Sequence, residues 1–363
     1  MIDIEKKEFG PQLRTLAAEW DELLARSSRP TIYSTFDYVY TSCLHFRGGD
    51  ELFFLLMRDV EDGRLLAVFP VRISTAIDCG RPIRRVEAGI APIATEADKP
   101  YPVIDKAHEE VCWERFSAYI RRQIGRWDLL VYDELWPQSG LNRNLGRLFP
   151  WPGYWTRVRA GAESPIFRLD CEWDAYWNAH RRLRRKIRSM QKQLGERYCF
   201  RVTCDPGEVQ GCLDAYVSTE LAGAKAEGGM MREEKLRFYR ELLPKLAAKK
   251  QLYFAILQDG DEMVGVHIAF VFGPHVYFAL SACNTEYAHL SPGMVLHFLF
   301  IQYFCAKGYR EGDFLAGFAH YLYPWASHVE QTVNVQVRKI SWNNGIIFLK
   351  KLRARFRPAP ASQ

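Results

Sequence analysis

Three apolar segments in the second half of the chain, separated by very short turns, place the strongest restriction on the fold. They are QLYFAILQ (251–258), MVGVHIAFVF (263–272) and VYFALSA (276–282). Apolar residues recur with a period near two, whereas the intervening DGDE and GPH are typical turn sequences. Because strands joined by such short turns must run antiparallel, this region predicts a three-stranded antiparallel meander.

The sequence after the meander predicts a helix and then another strand. In SPGMVLHFLFIQYFCAKG (291–308), Ser291 suits the N-cap, Pro292 the first helical position and Gly308 the helix end. The strand GDFL (312–315) follows, and a loop after it carries an unusual set of polar and aromatic side chains: His320, Tyr321, Tyr323 and Trp325. Ligands bind at strand ends in α/β sheets, so this loop predicts one wall of a binding site.

The predicted helix start is a candidate anion site, because the first amides of a helix have no partner inside it. Ser291, Gly293 and Met294 would present hydroxyl and N–H groups there, and Gly293 would let a phosphate approach the backbone closely. An ordinary helix start without a ligand is the alternative interpretation.

Polar residues inside the predicted meander are further candidates. With a period of two, His267 shares a face with the small residues Gly265 and Ala269, which leaves room for a ligand. Tyr277 and Ser281 are expected to share a face of the next strand, where each could bind a substrate or be structural. A hydrogen-bonded core position is the alternative interpretation for His267.

Two segments upstream of the meander carry clustered charges. The loop STELAGAKAEGGM (218–230) contains Glu220, Lys225 and Glu227, and is interpreted either as a cover for a substrate or as a solvated connection. Residues 172–194, EWDAYWNAHRRLRRKIRSMQKQL, predict one amphipathic helix with an apolar stripe. Its Arg and Lys residues could contact phosphates or form a solvated outer face.

Length and composition bound the organisation of the chain. A chain of 363 residues is expected to form roughly two domains, and the Pro- and Gly-rich segment PWPGYWTRVRAGAESP (150–165) predicts the boundary. The predicted domains are 1–160 and 161–350, followed by a basic, Pro–Ala-rich tail over 351–363. The formal net charge is +6, and no apolar run reaches the roughly 18 residues of a membrane span. Nine cysteines are scattered along the chain, which is typical of a reduced, cytoplasmic protein without a metal site.

The residues also resemble a known family. A succession of sequence blocks is similar to the CelD/BioF-type acetyltransferase domain of the GNAT superfamily: it begins with RRLRRKIRSMQKQL, continues through GAKAEGG and ends in FLAGFAHYLYPWA. This family is related to Fem-type (FemAB-like) peptidoglycan aminoacyltransferases. Five residues match the family pattern near the end of the domain: Asp313, Phe314, Gly317, Tyr321 and Trp325. The resemblance implies a mixed α/β (α+β) fold of two tandem GNAT-like subdomains, each a mixed, mostly antiparallel sheet flanked by helices.

The resemblance further implies an N-acyltransferase that moves an acyl group from acyl-CoA or acyl carrier protein to an amine, without a metal. The donor's phosphates would lie at Ser291, Gly293 and Met294, with its acyl arm near Ser281. His267 and His320 are the candidate bases, and Asp313 and Tyr321 complete the catalytic set. The residues implied for substrate binding are Lys225, Tyr277, Tyr323 and Trp325.

Three functions remain open at this point. The first is the acyltransferase, with a small-molecule or cell-envelope polysaccharide amine as acceptor. The second is a Fem-type transferase that takes aminoacyl-tRNA as donor, with the basic helix meeting the RNA. The third is a non-catalytic GNAT-like binding protein, because Leu322 stands where the family usually has a lysine.

Overall fold

The computed structural model describes residues 1–88, 101–169, 173–179, 181–223, 233–316 and 321–355. The chain divides into two compact units: unit 1 consists of residues 1–161 and 331–363, and unit 2 of residues 162–330. The first division between the units, between Gly161 and Ala162, falls next to the predicted boundary. Residues 331–350, however, group with the N-terminal unit, because a strand in this segment pairs inside unit 1.

Unit 1 contains a sheet with helices packed on it. Its strands are β1 (Ile2–Glu8), β2 (Glu51–Asp59), β3 (Leu65–Asp78), β4 (Arg81–Ala88), β5 (Val103–Ile104), β6 (Leu129–Leu135), the start of β7 (Tyr154–Arg168) and most of β13 (His328–Lys339). Its helices are α1 (Ala17–Arg26), α2 (Phe36–Phe46), α3 (Glu109–Arg122), α4 (Gly140–Arg143), α5 (Leu145–Leu148) and α11 (Trp342–Arg355).

Unit 2 is also built from strands with helices packed on them. Its strands are the end of β7, β8 (Tyr198–Thr203), β9 (Leu252–Asp259), β10 (Glu262–Phe272), β11 (His275–Cys283) and β12 (Glu311–Asp313). Its helices are α6 (Trp173–Ala179), α7 (Arg181–Leu194), α8 (Val209–Leu221), α9 (Glu233–Ala248) and α10 (Pro292–Ala306).

The two units share one succession of elements. In each, a strand, two helices and a three-stranded antiparallel meander are followed by a helix and by a strand parallel to the last strand of the meander. The strand orders are β1-β2-β3-β4-β6-β13 in unit 1 and β8-β9-β10-β11-β12-β7 in unit 2. The parallel pairs are β4–β6 and β11–β12, and the other neighbours for which a register is known are antiparallel. The predicted mixed, mostly antiparallel fold class is therefore confirmed.

Each unit has its own apolar core. In unit 1, α3 places Trp113 and Phe116 against Phe69 of β3, and Val335 and Val337 of β13 belong to the same cluster. In unit 2, Phe278 and Phe314 pack on α10, and Trp325 lies fully buried among them. The meander, α10 and the following strand thus form as the sequence predicts, and they position the site described below.

Most of the Pro- and Gly-rich segment 150–165, in which the sequence predicts the domain boundary, lies in the 15-residue strand β7. In the segment 172–194, predicted as one helix, α6 ends at Ala179 and α7 begins at Arg181, and the residue between them lies outside the described residues. The predicted apolar stripe is confirmed, since Leu183, Ile187 and Met190 are buried. Among the described residues, no helix combines the length and apolar character that crossing a bilayer requires.

Candidate active site in unit 2

The parallel pairing of β11 with β12 is short, and a cavity begins where it ends. Only His275–Tyr277 pair with Glu311–Asp313, whereas β11 continues to Cys283. A cavity of about 550 Å³ lies along this second half of β11. It is bounded by β10 and β11, the start of α10, the end of α8 and the segment around Tyr321; its polar lining side chains are Glu220, His267, Ser281, Thr285, Ser291, His297 and Tyr321.

A β-bulge decides which side chains of β11 face this cavity. Ala269 pairs with Phe278 and Ile268 with Leu280, so Ala279 is an extra residue without a partner on β10. The bulge places Ser281 on the same face as Phe278, and both line the cavity. Tyr277 falls on the opposite face, so the expectation that Tyr277 and Ser281 share a face is wrong.

Ser281 and His267 form the central polar pair of the cavity. The two residues lie opposite each other on β11 and β10, and Ser281 Oγ is 2.7 Å from His267 Nε2. Ser281 is exposed, whereas His267 is 1% exposed. The Nδ1 atom of His267 is buried and has no hydrogen-bond partner among the described residues. The pair therefore joins an accessible hydroxyl to a buried imidazole.

A second histidine, His297 of α10, lies against the first. The ring centroids of His267 and His297 are 4.3 Å apart, and His297 Nδ1 is 2.6 Å from the carbonyl oxygen of Gly293. Burial lowers the pKa of His297 to about 4. Burial, with a smaller contribution from the charge on His297, lowers the pKa of His267 well below its ordinary value. Both imidazoles are therefore neutral at neutral pH.

The start of α10 is built differently from the prediction. Ser291 occupies the N-cap position in a left-handed conformation (φ 49°), and its hydroxyl does not cap the helix. The amide of Met294 donates to the carbonyl of Ser291 at 3.0 Å, so this amide is already used. Gly293 lies beside Cys283, where an added Cβ would be 3.3 Å from the sulfur. The amide of Ser291 is also used, because it donates to the carbonyl of Ala288. Among the backbone amides expected to bind a phosphate, the amide of Gly293 is therefore the remaining candidate donor.

The structure brings together only part of the predicted site. Besides His267 and Ser281, the residues that line the cavity as expected are Ser291, Gly293, Met294 and Tyr321. Tyr321 is 49% exposed, and its partial burial raises its pKa. Leu322, the departure from the family pattern, also lines the cavity. His320 and Lys225 lie outside the described residues.

Four predicted residues lie away from the cavity lining. Asp313 is buried, and its Oδ1 accepts a hydrogen bond from the amide of Leu315 at 2.7 Å, which holds the left-handed turn at that residue. The Tyr323 hydroxyl donates to Glu163 at 3.1 Å. Tyr277 and Trp325 are both buried. The roles proposed for these four residues stay predictions.

Three polar lining residues were not proposed as site residues from the sequence: Glu220, Thr285 and His297. His297 follows Gly293 by four residues, so the two share a face of α10, and this spacing is the signal that identifies it. Glu220, noted only as a charge in a loop, lies in the last turn of α8, is 7% exposed, and its Oε1 accepts a hydrogen bond from Tyr216 at 3.4 Å. It is the only acidic residue among those lining the cavity in the described part of the chain.

The equivalent helix of unit 1 begins in a different way. Helix α3 starts with Glu109 and Glu110, and Glu109 accepts hydrogen bonds from Tyr101 and from the amide of Gly140. Two carboxylates at this position would repel an anion. Helix α10 has no acidic residue in its first turn. This difference favours unit 2 as the unit that binds an anionic ligand.

The comparisons with known proteins agree with this location. Residues 179–322, all within unit 2, match the family model described as an acetyltransferase (GNAT) domain. A search of curated protein sequences gives no match. The family-model match supports an acyltransferase, whereas the finer CelD/BioF-type resemblance stays a prediction.

Solved structures show the fold over nearly the whole chain. FemX is 11% identical, with 95% of this chain and 99% of that chain covered and a TM-score of 0.60. A conserved protein of unknown function from Bacteroides thetaiotaomicron is 11% identical, with coverages of 93% and 100% and a TM-score of 0.57. The C-terminal domain of a putative lysylphosphatidylglycerol synthetase from Agrobacterium fabrum is 11% identical, with coverages of 93% and 96% and a TM-score of 0.53. At these identities the likeness concerns the fold alone.

The buried histidines predict a pH-dependent stability. The unfolded chain takes up a proton at His297 near pH 6.5, whereas the folded chain does so only near pH 4. The contribution of this residue to the unfolding free energy is therefore fully present above pH 6.5. As the pH falls towards 4, protonation of the unfolded chain lowers the unfolding free energy by about 3 kcal/mol. Urea unfolding of the wild type and of His297→Gln over this range should show a flatter pH dependence in the variant.

A matched control is His289→Gln, because His289 is an exposed histidine just before α10. This control should keep the wild-type pH dependence. If His297→Gln also keeps it, the neutral, buried state assigned to His297 is wrong.

Proposed function

We propose that unit 2 is an N-acyltransferase that transfers an acyl group from acyl-CoA, or from acyl carrier protein, to an amine. The observation that carries the proposal is the cavity beside the unpaired half of β11, with the Ser281–His267 pair in its wall and the start of α10 at its edge. The family-model match over residues 179–322 supports the same class of reaction. The acceptor is proposed as a small-molecule or cell-envelope polysaccharide amine.

In this proposal the acyl arm of the donor occupies the gap between β11 and β12. Beyond its three-residue pairing with β12, the edge of β11 borders the cavity through Phe278–Cys283. An extended pantetheine chain carries amides that are able to bind such a strand edge. The donor's phosphates then lie at the start of α10, where Gly293 offers its amide and the helix dipole favours negative charge.

Ser281 is proposed to stabilise the charge that develops on the thioester oxygen. Buried N–H groups without an acceptor are rare, so we assign the lone pair to Nδ1 of His267 and the proton to Nε2. Nε2–H then donates to Ser281 Oγ, which leaves the hydroxyl hydrogen of Ser281 directed into the cavity. A preorganised donor of this kind lowers the barrier to acyl transfer.

Glu220 is proposed to bind the acceptor amine. An amine at neutral pH arrives as an ammonium ion, and a carboxylate at the C-terminal end of a helix attracts a cation. The ammonium ion must lose one proton before its nitrogen can attack the thioester carbonyl carbon. The C–N bond then forms, the C–S bond breaks, and a second proton of the amine passes to the departing thiolate. His267, neutral but weakly basic because of its lowered pKa, orients Ser281 in this scheme, and His320 stays a candidate base.

Replacing Gly293 tests where the donor binds. Gly293→Asp places a carboxylate at the start of α10 and is expected to weaken acyl-CoA binding by at least about tenfold, because it repels the phosphates. Gly293→Ala is the matched control, since it adds the same Cβ beside Cys283 without a charge, and should cost less affinity. Isothermal titration calorimetry with acetyl-CoA and longer acyl-CoAs measures both variants.

Unchanged affinity of Gly293→Asp would remove the donor from the start of α10. If the wild type binds aminoacyl-tRNA but no acyl-CoA, the tRNA-dependent alternative replaces this proposal. Binding of neither donor would favour the non-catalytic alternative.

Replacing Ser281 tests the chemical step. Ser281→Ala is expected to lower the single-turnover rate by about 10² to 10³, the usual effect of losing one oxyanion donor, while the dissociation constant for the donor stays near the wild-type value. Ser218→Ala is the control, because its hydroxyl donates to the Ala215 carbonyl within α8 and Ser218 does not line the cavity. A Ser281→Ala protein with the wild-type rate would contradict the role.

Replacing Glu220 tests acceptor recognition. Glu220→Gln keeps the shape of the side chain and removes its charge, so we expect the KM for primary amines to rise by about ten- to a hundredfold, with a smaller change in kcat. Glu286→Gln removes an exposed carboxylate that does not line the cavity and should leave KM unchanged. An equal KM in wild type and Glu220→Gln would place the amine elsewhere.

A further inference from the structure

A second concave region lies in unit 1, away from any function discussed so far. It is a groove of about 660 Å³ between the start of β7, the end of β13 and helix α11. Its apolar lining residues include Trp151, Trp155, Ile340 and Phe348. Trp151 is 74% exposed and Trp155 39% exposed. Large aromatic side chains this accessible to water require an explanation.

Helix α11 adds more apolar surface to this region. It is held to unit 1 by Ile347, which is 1% exposed, and by Asn344, whose amide donates to the carbonyls of Asp128 and Lys339. Each residue advances about 100° around a helix, so Leu349 lies on the side away from Ile347. Trp342 is seven residues before Leu349 and therefore lies on that outer side too.

The outer side of α11 is apolar where a surface helix is normally polar. Trp342 is 85% exposed, Phe348 56%, Leu349 55% and Leu352 40%. Together with the two tryptophans at the groove they form a candidate contact face, called here the α11 face: Trp151, Trp155, Trp342, Phe348, Leu349 and Leu352. Such a face costs free energy in water and gains it in an apolar medium.

The groove beside the α11 face is strongly positive. Its charged lining residues are Arg157, Arg159, Arg338, Lys339 and Lys351, and no lining residue in the described part of the chain is acidic. Period two along β7 directs Trp155, Arg157 and Arg159 to one side of the strand. The nearby Asp78 binds both Arg338, at 2.6 Å, and Lys351, at 2.8 Å, so one carboxylate meets two cations.

We propose that the α11 face and its cationic groove bind the surface of a membrane that contains anionic phospholipid. Tryptophans and aliphatic side chains gain free energy in the interfacial and acyl region of a bilayer, and the arginines and lysines meet phosphate headgroups. Unit 1 would in this way hold the chain at a membrane surface.

Other occupants fit less well. A second copy of the chain would bring two positively charged grooves together, and like charges oppose such pairing. A nucleic acid would satisfy the cations and stack on the tryptophans, but it offers no apolar medium for Leu349 and Leu352. The combination of aliphatic and cationic groups is the feature that selects a lipid surface.

The test is co-sedimentation of the full chain with vesicles. Vesicles of phosphatidylglycerol and phosphatidylcholine in equal amounts should bring the wild type down, and vesicles of phosphatidylcholine alone should not. The double variant Arg157→Gln/Arg159→Gln should weaken binding by about tenfold or more, and added salt should weaken the wild type similarly. Trp342→Ser/Leu349→Ser should weaken binding to anionic vesicles at any salt concentration.

The control variant is Val60→Ser, which removes an exposed apolar side chain from the β2–β3 turn of the same unit. It should sediment like the wild type, and thermal melts of all variants should match. Wild type that stays in solution with anionic vesicles would overturn the proposal. The proposal would also be overturned if RNA displaced the vesicles and the variant Trp342→Ser/Leu349→Ser bound RNA as well as the wild type. Dimerisation of the wild type that this double variant abolishes would overturn it too.

Discussion

The early end of the β11–β12 pairing is the constraint on which the candidate site depends. A parallel strand that continued along β11 would cover the edge now bordering the cavity, and no gap would exist. The short strand is fixed on its other side by β7, because Gly312 lies so close to the Phe167 ring that a Cβ there would be 1.9 Å from it. Asp313 then turns the chain away by binding the amide of Leu315. These two residues shape the site without lining it.

The bulge at Ala279 is the second determinant, since it turns Ser281 towards the cavity and towards His267. Helix α10 then closes the back of the pair with His297, and its approach to β10 requires Gly265, where a Cβ would be 2.7 Å from Leu296. The polar pair is consequently enclosed by apolar packing on the side of the imidazoles and open on the side of the hydroxyl. This asymmetry explains why both imidazoles are neutral while Ser281 remains accessible.

Local sequence signals predicted the meander, α10 and the mixed sheet because their turns, helix start and periodicity lie within a few residues of one another. The bulge at Ala279 could not be predicted, since it arises from the register between two strands and leaves no local signature. Strand β7 was missed for a related reason: its Pro- and Gly-rich sequence becomes a strand through pairing with distant segments. The site is correspondingly mixed, with His267 and Ser281 recognised, His297 overlooked, and Tyr277 assigned to the wrong face.

The return of β13 to unit 1 has a consequence for the order of folding. Val333–Arg338 pair with strand β6, and the amide of Glu134 bonds to the side chain of Asn334, 200 residues further along the chain. During synthesis residues 1–161 therefore emerge before the strand β13 that pairs with β6, and α11 follows later still. All of unit 2 is made while the edge of β6 lacks this partner, so unit 1 can be completed only after unit 2 has been synthesised.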